Sequence, residues 1–458
     1  QVGGDQIMHP FDGDGMVAAV TFDGSGHAHF RNRHVRTPGF VEELEAKRML
    51  YRGQFSLKPG GWLSNAFDMR VKNVANTNVM HWAGRLFALW EGGKPTELDP
   101  LSLATKGETN FDSALKEGDT FTAHPRRDCK SGREVGFMYK PDPSADLTRV
   151  SFWEFEPEGG GFDGRRLDVE LPGFGFYHDF LVTDSFYILS RAPVAISPQR
   201  GLEGLLGLRS IGEAIDFDES KVAQLVLVPR DGSDIRYVDL DTHFCTHFGN
   251  GYELEDKLVV DFVRAPTLSL IGNSSAQQRP VWEVVELDTL EPNRFTRYEI
   301  DLPSQRWEKH ELSDQHLDYP SINPAFSSNP AYRYTWCGIS AMNGRTGPLQ
   351  GLAKVDVTGA EATEMWLPPE EEFLGEVVFS PREGATAEDD GYLLGFSAKG
   401  DRSSDLLIFD AKTIQKGPIC RLPVPAFLPH GLHGCFVPSL VPSFDDIEEA
   451  WKKTPTSL

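Results

Sequence analysis

The feature that most constrains this chain is its punctuation. Apolar stretches are short and turn-bounded along its whole length. Arg85-Leu-Phe-Ala-Leu-Trp90, Phe180-Leu-Val-Thr-Asp-Ser-Phe-Tyr-Ile-Leu189, Val222-Ala-Gln-Leu-Val-Leu-Val228 and Asp405-Leu-Leu-Ile-Phe409 are examples. Branched and aromatic residues dominate them, and Gly, Pro, Asp or Asn often flank them, which is the strand signature. With 44 Gly and 31 Pro spread evenly, the breaks come too often for long helices. Helical patterns are few: residues 40–50 carry good helix formers at helical spacing, and residues 204–215 and 444–452 are weaker candidates.

Hairpin turns are expected at Asp231-Gly232, Asp390-Gly391 and Glu91-Gly92. A loose unit recurs: strand, Asp-containing turn, second strand, variable loop. It is visible at Leu98-Asp-Pro-Leu, Val238-Asp-Leu-Asp, Leu287-Asp-Thr-Leu and Ile408-Phe-Asp-Ala-Lys. Many short strands with a coarse repeat and no βαβ alternation predict an all-β chain closed radially, a β-propeller, over an elongated array of sandwiches.

Composition narrows the function. A net charge of −23 repels phosphate backbones and anionic lipid, so no nucleic-acid partner is expected. Membrane contact, if made, must rest on exposed apolar side chains. No run approaches the length of a spanning segment, so a soluble or monotopic chain is expected. The five cysteines are scattered without CxxC spacing, which fits a reducing compartment rather than a disulfide or zinc framework.

Chemistry concentrates in the histidines. His124, His178, His247 and His433 each stand where a turn meets a strand. Distant spacings of this kind bring imidazoles from different blades to one axis, where four neutral rings bind a borderline divalent ion. Spacing alone does not choose His247 over His243, or His433 over His430. His243 and His247 also form an HxxxH pair, but the Glu of HExxH is absent.

The segments around these residues go further. His9-Pro-Phe-Asp-Gly-Asp-Gly-Met-Val17, Asn73-Val-Ala-Asn-Thr-Asn78, Leu89-Trp-Glu-Gly-Gly93, Phe121-Thr-Ala-His124 and Tyr177-His-Asp-Phe180 follow one another along the chain. So do His247-Phe-Gly-Asn-Gly-Tyr-Glu253, Gly375-Glu376 ahead of Ala385-Thr-Ala-Glu-Asp-Asp-Gly-Tyr-Leu393, and Gly431-Leu-His-Gly434. Together, from about residue 8 to residue 438, they resemble the carotenoid cleavage oxygenases, motif for motif and in order.

That resemblance implies one propeller domain over residues 1–458, seven-bladed, with a dome of loops and short helices over an axial non-haem Fe(II). It implies His124, His178, His247 and His433 as ligands. Glu91, Asp318 and Glu376 match carboxylates that hold His178, His247 and His433, leaving His124 without one. The family usually has Glu where this chain has Asp318, one methylene shorter. Either the backbone moves inward there or His247 is held through water. The family's N-terminal stretch ahead of Asp12-Gly-Asp-Gly15 is missing, so an incomplete chain is expected.

The activity implied is dioxygen cleavage of one double bond of a carotenoid or apocarotenoid, giving two carbonyl products without an external reductant. Stilbene-type cleavage, retinoid isomerohydrolysis and a non-catalytic apocarotenoid-binding propeller are the alternatives. A long apolar substrate calls for an aromatic-lined tunnel. Phe176, Phe244, Phe248, Phe379 and Phe427 neighbour the expected site and are its candidate walls. Residues 195–208 are the candidate apolar patch where substrate leaves a membrane, a buried dome helix being the equal alternative. The motif wording is similar to plant and algal members, which implies a plastid, with the cytoplasm as the alternative.

Overall fold

The computed structural model describes residues 2–157, 161–268 and 279–454. It is built from antiparallel sheets that follow one another along the chain. The first blade pairs Asn78–Trp82, Arg85–Leu89, Thr96–Leu98 and Thr105–Glu108. The second pairs Arg126–Arg127, Glu134–Asp142, Leu147–Phe155 and Gly164–Pro172. The third uses Phe180–Val182, Phe186–Arg191, Ala223–Pro229 and Arg236–Leu240. The fourth uses Phe244–Leu254, Lys257–Ala265, Arg294–Asp301 and Trp307–Glu311. Leu317–Ser321, Tyr334–Ser340, Leu349–Asp356 and Glu364–Trp366 make the fifth. In the sixth, Glu372–Leu374 and Val378–Pro381 both pair with Gly391–Lys399, followed by Ser404–Asp410 and Cys420–Pro423.

Radial closure follows from what the strands bury. Middle strands such as Phe186–Arg191 and Ala223–Pro229 are buried on both faces, so a sheet on each side must cover them. The apolar clusters lie between consecutive blades. Phe87 and Leu89 of the first blade pack with Trp153 and Phe155 of the second. Val150 and Phe152 pack with Tyr187 and Val226. Ile188 and Leu225 pack with Val260 and Phe262. Val259 and Phe295 pack with Ile339 and Val355, and Trp336 and Leu352 with Leu393 and Phe409. Beyond the sixth blade the chain returns to the first, where His433 N–H donates to the Thr77 carbonyl at 3.0 Å.

The all-β propeller is therefore present, but with six blades among the described residues, not seven. Ahead of the first blade the chain pairs only Met16–Phe22 with Ala28–His34. That ribbon packs Val17 and Ala19 on Leu86 and Ala88 of the first blade, and two strands do not make a blade of the kind seen elsewhere.

Helices are as scarce as the sequence predicts. One spans Pro38–Ala46, capped by Thr37 and ended at Lys47, whose φ of 52° is left-handed, so it stops short of residue 50. The helix expected from 204 lies earlier, at Pro198–Leu205, capped by Ser197. Gly207, at φ +74°, turns the chain away beneath residues 62–66, too close for any side chain. The C-terminal helix is Phe444–Lys453. The Asp and Glu turns at 91–92, 231–232 and 390–391 all join paired strands, whereas Leu287–Thr289 is a short 3-10 helix.

Trp336 has no exposed surface, fills the joint between the fifth and sixth blades, and donates to the Ala411 carbonyl at 3.2 Å. Trp336→Ala is expected to cost about 3–5 kcal/mol, read as an earlier denaturant midpoint by tryptophan fluorescence. A midpoint unchanged from the parent would show that this joint does not hold the blades together.

Candidate metal centre

Most groups of the centre sit on or beside the first strand of a blade. His124 stands two residues before Arg126–Arg127, His178 two before Phe180–Val182, and His247 within Phe244–Leu254. Asp318 lies in Leu317–Ser321, and Glu376 between Glu372–Leu374 and Val378–Pro381. Glu91 follows Arg85–Leu89, and His433 is on the returning tail. Successive blades thus deliver side chains to a common axis. The two that sit within strands are aimed by irregularities: the ladder shifts register between Cys245 and Asn250, and again between Asp318 and Ser321. Such bulges swing a side chain out of its regular direction.

His124, His178, His247 and His433 come together with ligand atoms all within 4.8 Å of one another. Nε2 of His178 lies 3.1 Å from that of His124 and 3.3 Å from that of His247. Behind the rings, Nδ1 of His178 meets Glu91 at 2.8 Å, that of His247 meets Asp318 at 2.6 Å, and that of His433 meets Glu376 at 2.8 Å. An ionised carboxylate only accepts, so each of these Nδ1 atoms carries the proton and each Nε2 turns a lone pair inward. Lone pairs facing one another at such separations repel, and a cation between them reverses the sign. Adjacent donors on an ion at about 2.1 Å stand about 3 Å apart, which matches the spacing here. The residues present fit a divalent metal of the imidazole-binding class.

Asp318 reaches His247 directly. The next residue, Tyr319, adopts φ 56° beside the bulge. Among the described residues His124 has no carboxylate partner. Burial, reinforced by His433 and the other two rings, holds His124 well below the ordinary histidine range. Burial also lowers His247, more than Asp318 raises it. In His178 burial again lowers the ring, but Glu91, with Asp179 and Asp318, leaves it raised. The rejected members of each pair behave differently. His243 is wholly buried, bonded to the Asp241 carbonyl at 2.7 Å and Ser190 at 3.2 Å. His430 lies outside the cluster.

Two cavities meet at the rings. The larger, about 440 Å³, is mainly apolar and touches His178, His247, His433, Glu91 and Asp318. The smaller, about 150 Å³, is polar and is walled by Asn78, His124, Arg126, Asp179, His247, His433 and Glu376. Tyr319 borders both.

Of the five candidate tunnel phenylalanines, Phe176 and Phe244 line the large cavity and stack at 5.9 Å. The other three do not. Phe248 belongs to the core between the third and fourth blades and edges only the small cavity. Phe379 is core, stacked on Trp336, and Phe427 is 46% exposed. Walls that sequence reasoning missed include His9, Phe11, Phe55, Leu268, His316, Tyr319 and Leu432. Several lie inside quoted motifs, and Asp12 explains one group. Its buried carboxylate accepts from the backbone N–H of Gln54 and Phe55 and from Ser56, which docks residues 54–56 against the His9 segment. Burial raises that carboxyl to about 6.

Asp318→Asn or Glu376→Gln replaces an obligate acceptor with a group that also donates. Each is expected to lower metal affinity about 10–100-fold, measured by competition with a chelator on protein of unchanged circular dichroism. Parental affinity in both would show that the carboxylates do not set the rings.

The family model described as "Retinal pigment epithelial membrane protein" matches residues 1–438. Apocarotenoid-15,15'-oxygenase of Synechocystis sp. is 38% identical over 443 residues, covering 95% of this chain and 87% of that protein. Resveratrol cleavage oxygenase 1 of Aspergillus fumigatus is 29% identical over 463 residues, covering 93% and 85%. A crystal structure of cobalt-substituted Synechocystis ACO superposes with a TM-score of 0.86 at 36% identity, over 94% of this chain and 89% of that one. With the motifs in order, four imidazoles on one axis and these likenesses over nearly the whole length, the chain belongs to the carotenoid oxygenase family.

Proposed function

We propose that the protein is an Fe(II)-dependent dioxygenase that cleaves one conjugated double bond of a carotenoid or apocarotenoid into two carbonyl products. One observation carries this: four imidazoles converge within 4.8 Å, and three of them, His178, His247 and His433, line an apolar cavity of about 440 Å³. His124, His178, His247 and His433 would hold the ion, which would supply the activation of dioxygen beside the rings.

The chain's own work is placement. Glu91, Asp318 and Glu376 fix tautomer and ring plane. Phe176, Phe244, Phe55 and Leu268 bound a space that holds a polyene against the rings and keeps bulk water away. The alkene and O₂ together contain every atom of the two carbonyl products, so one oxygen atom ends in each and no reductant is consumed. The Synechocystis relative is named for apocarotenoid cleavage. Stilbene-type cleavage is favoured less, because a Tyr–Lys pair would be wanted at a phenol. The described lining has Tyr319 but no lysine.

A lipid phase is the natural source of such a substrate. Support for contact with one is limited to side chains beside the cavity wall: Trp62, Leu63 and Phe67 are exposed next to Leu202, Leu205 and Leu208. Phe67 N–H donates to the Leu205 carbonyl, and Gly212 N–H to that of Gln54. No helix among the described residues is long and apolar enough to cross a membrane.

Purified protein is expected to hold about one iron per chain and, with an apocarotenal under ¹⁸O₂, to place one label in each carbonyl product. His247→Ala and His433→Ala should each lose activity by about a hundredfold or more, while His430→Ala retains most of it. Active protein with little iron, or label confined to one product, would defeat the dioxygenase reading.

A further inference from the structure

The large cavity is mainly apolar, but one part of its wall is not. His316 and Asn293 both line it, and each is only 8% exposed. Their relation fixes the chemistry of the imidazole. Asn293 backbone N–H donates to His316 Nδ1 at 3.0 Å, so Nδ1 is the acceptor and the ring proton sits on Nε2. Burial lowers the ring's affinity for a second proton. The result is a neutral imidazole with one N–H to give.

Among the described residues neither that Nε2–H nor the side-chain amide of Asn293 has a hydrogen-bond partner. Both groups belong to residues on the cavity wall, where a bound molecule can supply the missing partner. Thr346, on the same stretch of wall, already donates to the Leu290 carbonyl at 2.8 Å and leaves only its lone pairs to the cavity. This wall therefore presents one fixed donor, one amide and one acceptor.

Its position relative to the metal centre is also fixed. His316 immediately precedes Leu317–Ser321 and its carbonyl accepts from Ser340 N–H at 3.0 Å, so it continues that strand, in which alternate residues point to the same side roughly 7 Å apart. Asp318 points at His247. A group held by His316 therefore lies on the cavity side of the rings, at a defined distance along the wall.

We infer that His316, with Asn293, is a specificity-determining pair that receives a neutral oxygen function of the substrate, a carbonyl or a hydroxyl, through the Nε2–H of His316. A carbonyl oxygen takes that proton donor and the amide N–H. A hydroxyl takes the donor and gives its own proton to the amide oxygen. A carboxylate is disfavoured by Glu291, which lines the same part of the cavity. By accepting this oxygen the pair sets which double bond stands at the rings. The inference rests on the cavity being the substrate chamber.

The test is equilibrium binding under nitrogen, read from the polyene absorption band, so that turnover is not required. Three probes of equal conjugated length serve: a hydrocarbon polyene, the same chain ending in an aldehyde, and the same chain with a ring hydroxyl. The parent protein is expected to bind one oxygenated probe at least about tenfold more tightly than the hydrocarbon. His316→Leu removes that preference, so that the oxygenated probe binds no more tightly than the hydrocarbon. His316→Gln restores it in part, because its amide can take the Asn293 N–H and still donate. In turnover the His316→Leu loss appears in KM rather than kcat. The aldehyde and hydroxyl arms identify which oxygen is read. Equal affinity of the parent for all three probes, or an equal loss for all three in His316→Leu, would overturn the assignment. No binding of any probe would instead sink the chamber reading itself.

Discussion

Everything at the centre of this molecule depends on nitrogen lone pairs being held face to face. Left alone, they repel. The fold forces them together by anchoring three rings from behind with carboxylates, at 2.6–2.8 Å from Nδ1. Each ring is carried by a different blade or by the returning tail, so no local segment can relieve the strain by itself. The propeller acts as a rigid ring of mounts, and its interblade clusters supply the rigidity. A displaced blade would move one nitrogen and its carboxylate out of the set.

The strands deliver these groups only because they are irregular. A regular strand alternates its side chains between two sheet faces, both of which are packed against neighbouring blades here. Pointing a side chain at the axis requires a strand end or a bulge. His124 and His178 use strand ends, and His247 and Asp318 use bulges. Asp318, followed by a left-handed Tyr319, meets His247 directly at 2.6 Å.

Legibility in the sequence followed the same division. The four histidines and three carboxylates sit in segments whose order along the chain carries information, and spacing alone had left His243 and His430 in contention. The blade count was not legible in the same way. The repeat is degenerate, and a two-stranded ribbon looks like the start of a blade until its partners are sought. The cavity wall was the least legible. A phenylalanine facing a cavity and one facing a core obey the same apolar rule. Phe176 and Phe379 therefore could not be separated by pattern, and only the packing of Phe379 on Trp336 removes it. His316 left a signal that strand alternation could have read, since it shares a side with Asp318 two residues later.

Charge explains why the rings respond so differently to burial. Three carboxylates stand behind four neutral imidazoles at the edge of an apolar cavity, where uncompensated charge is expensive. A divalent ion offsets most of that negative charge. Without it, a proton is the only substitute the chain can supply internally. One ring can take that proton with support from its carboxylate, and a second would face the first across about 3 Å. The rings therefore compete. His178 backed by Glu91 is drawn up, while His124, with no carboxylate and three imidazoles for neighbours, is driven furthest down. The carboxylates do not merely steer the rings. They create the negative charge that makes this axis a place for a cation, and the four imidazoles keep that cation from being tied up by the carboxylates themselves.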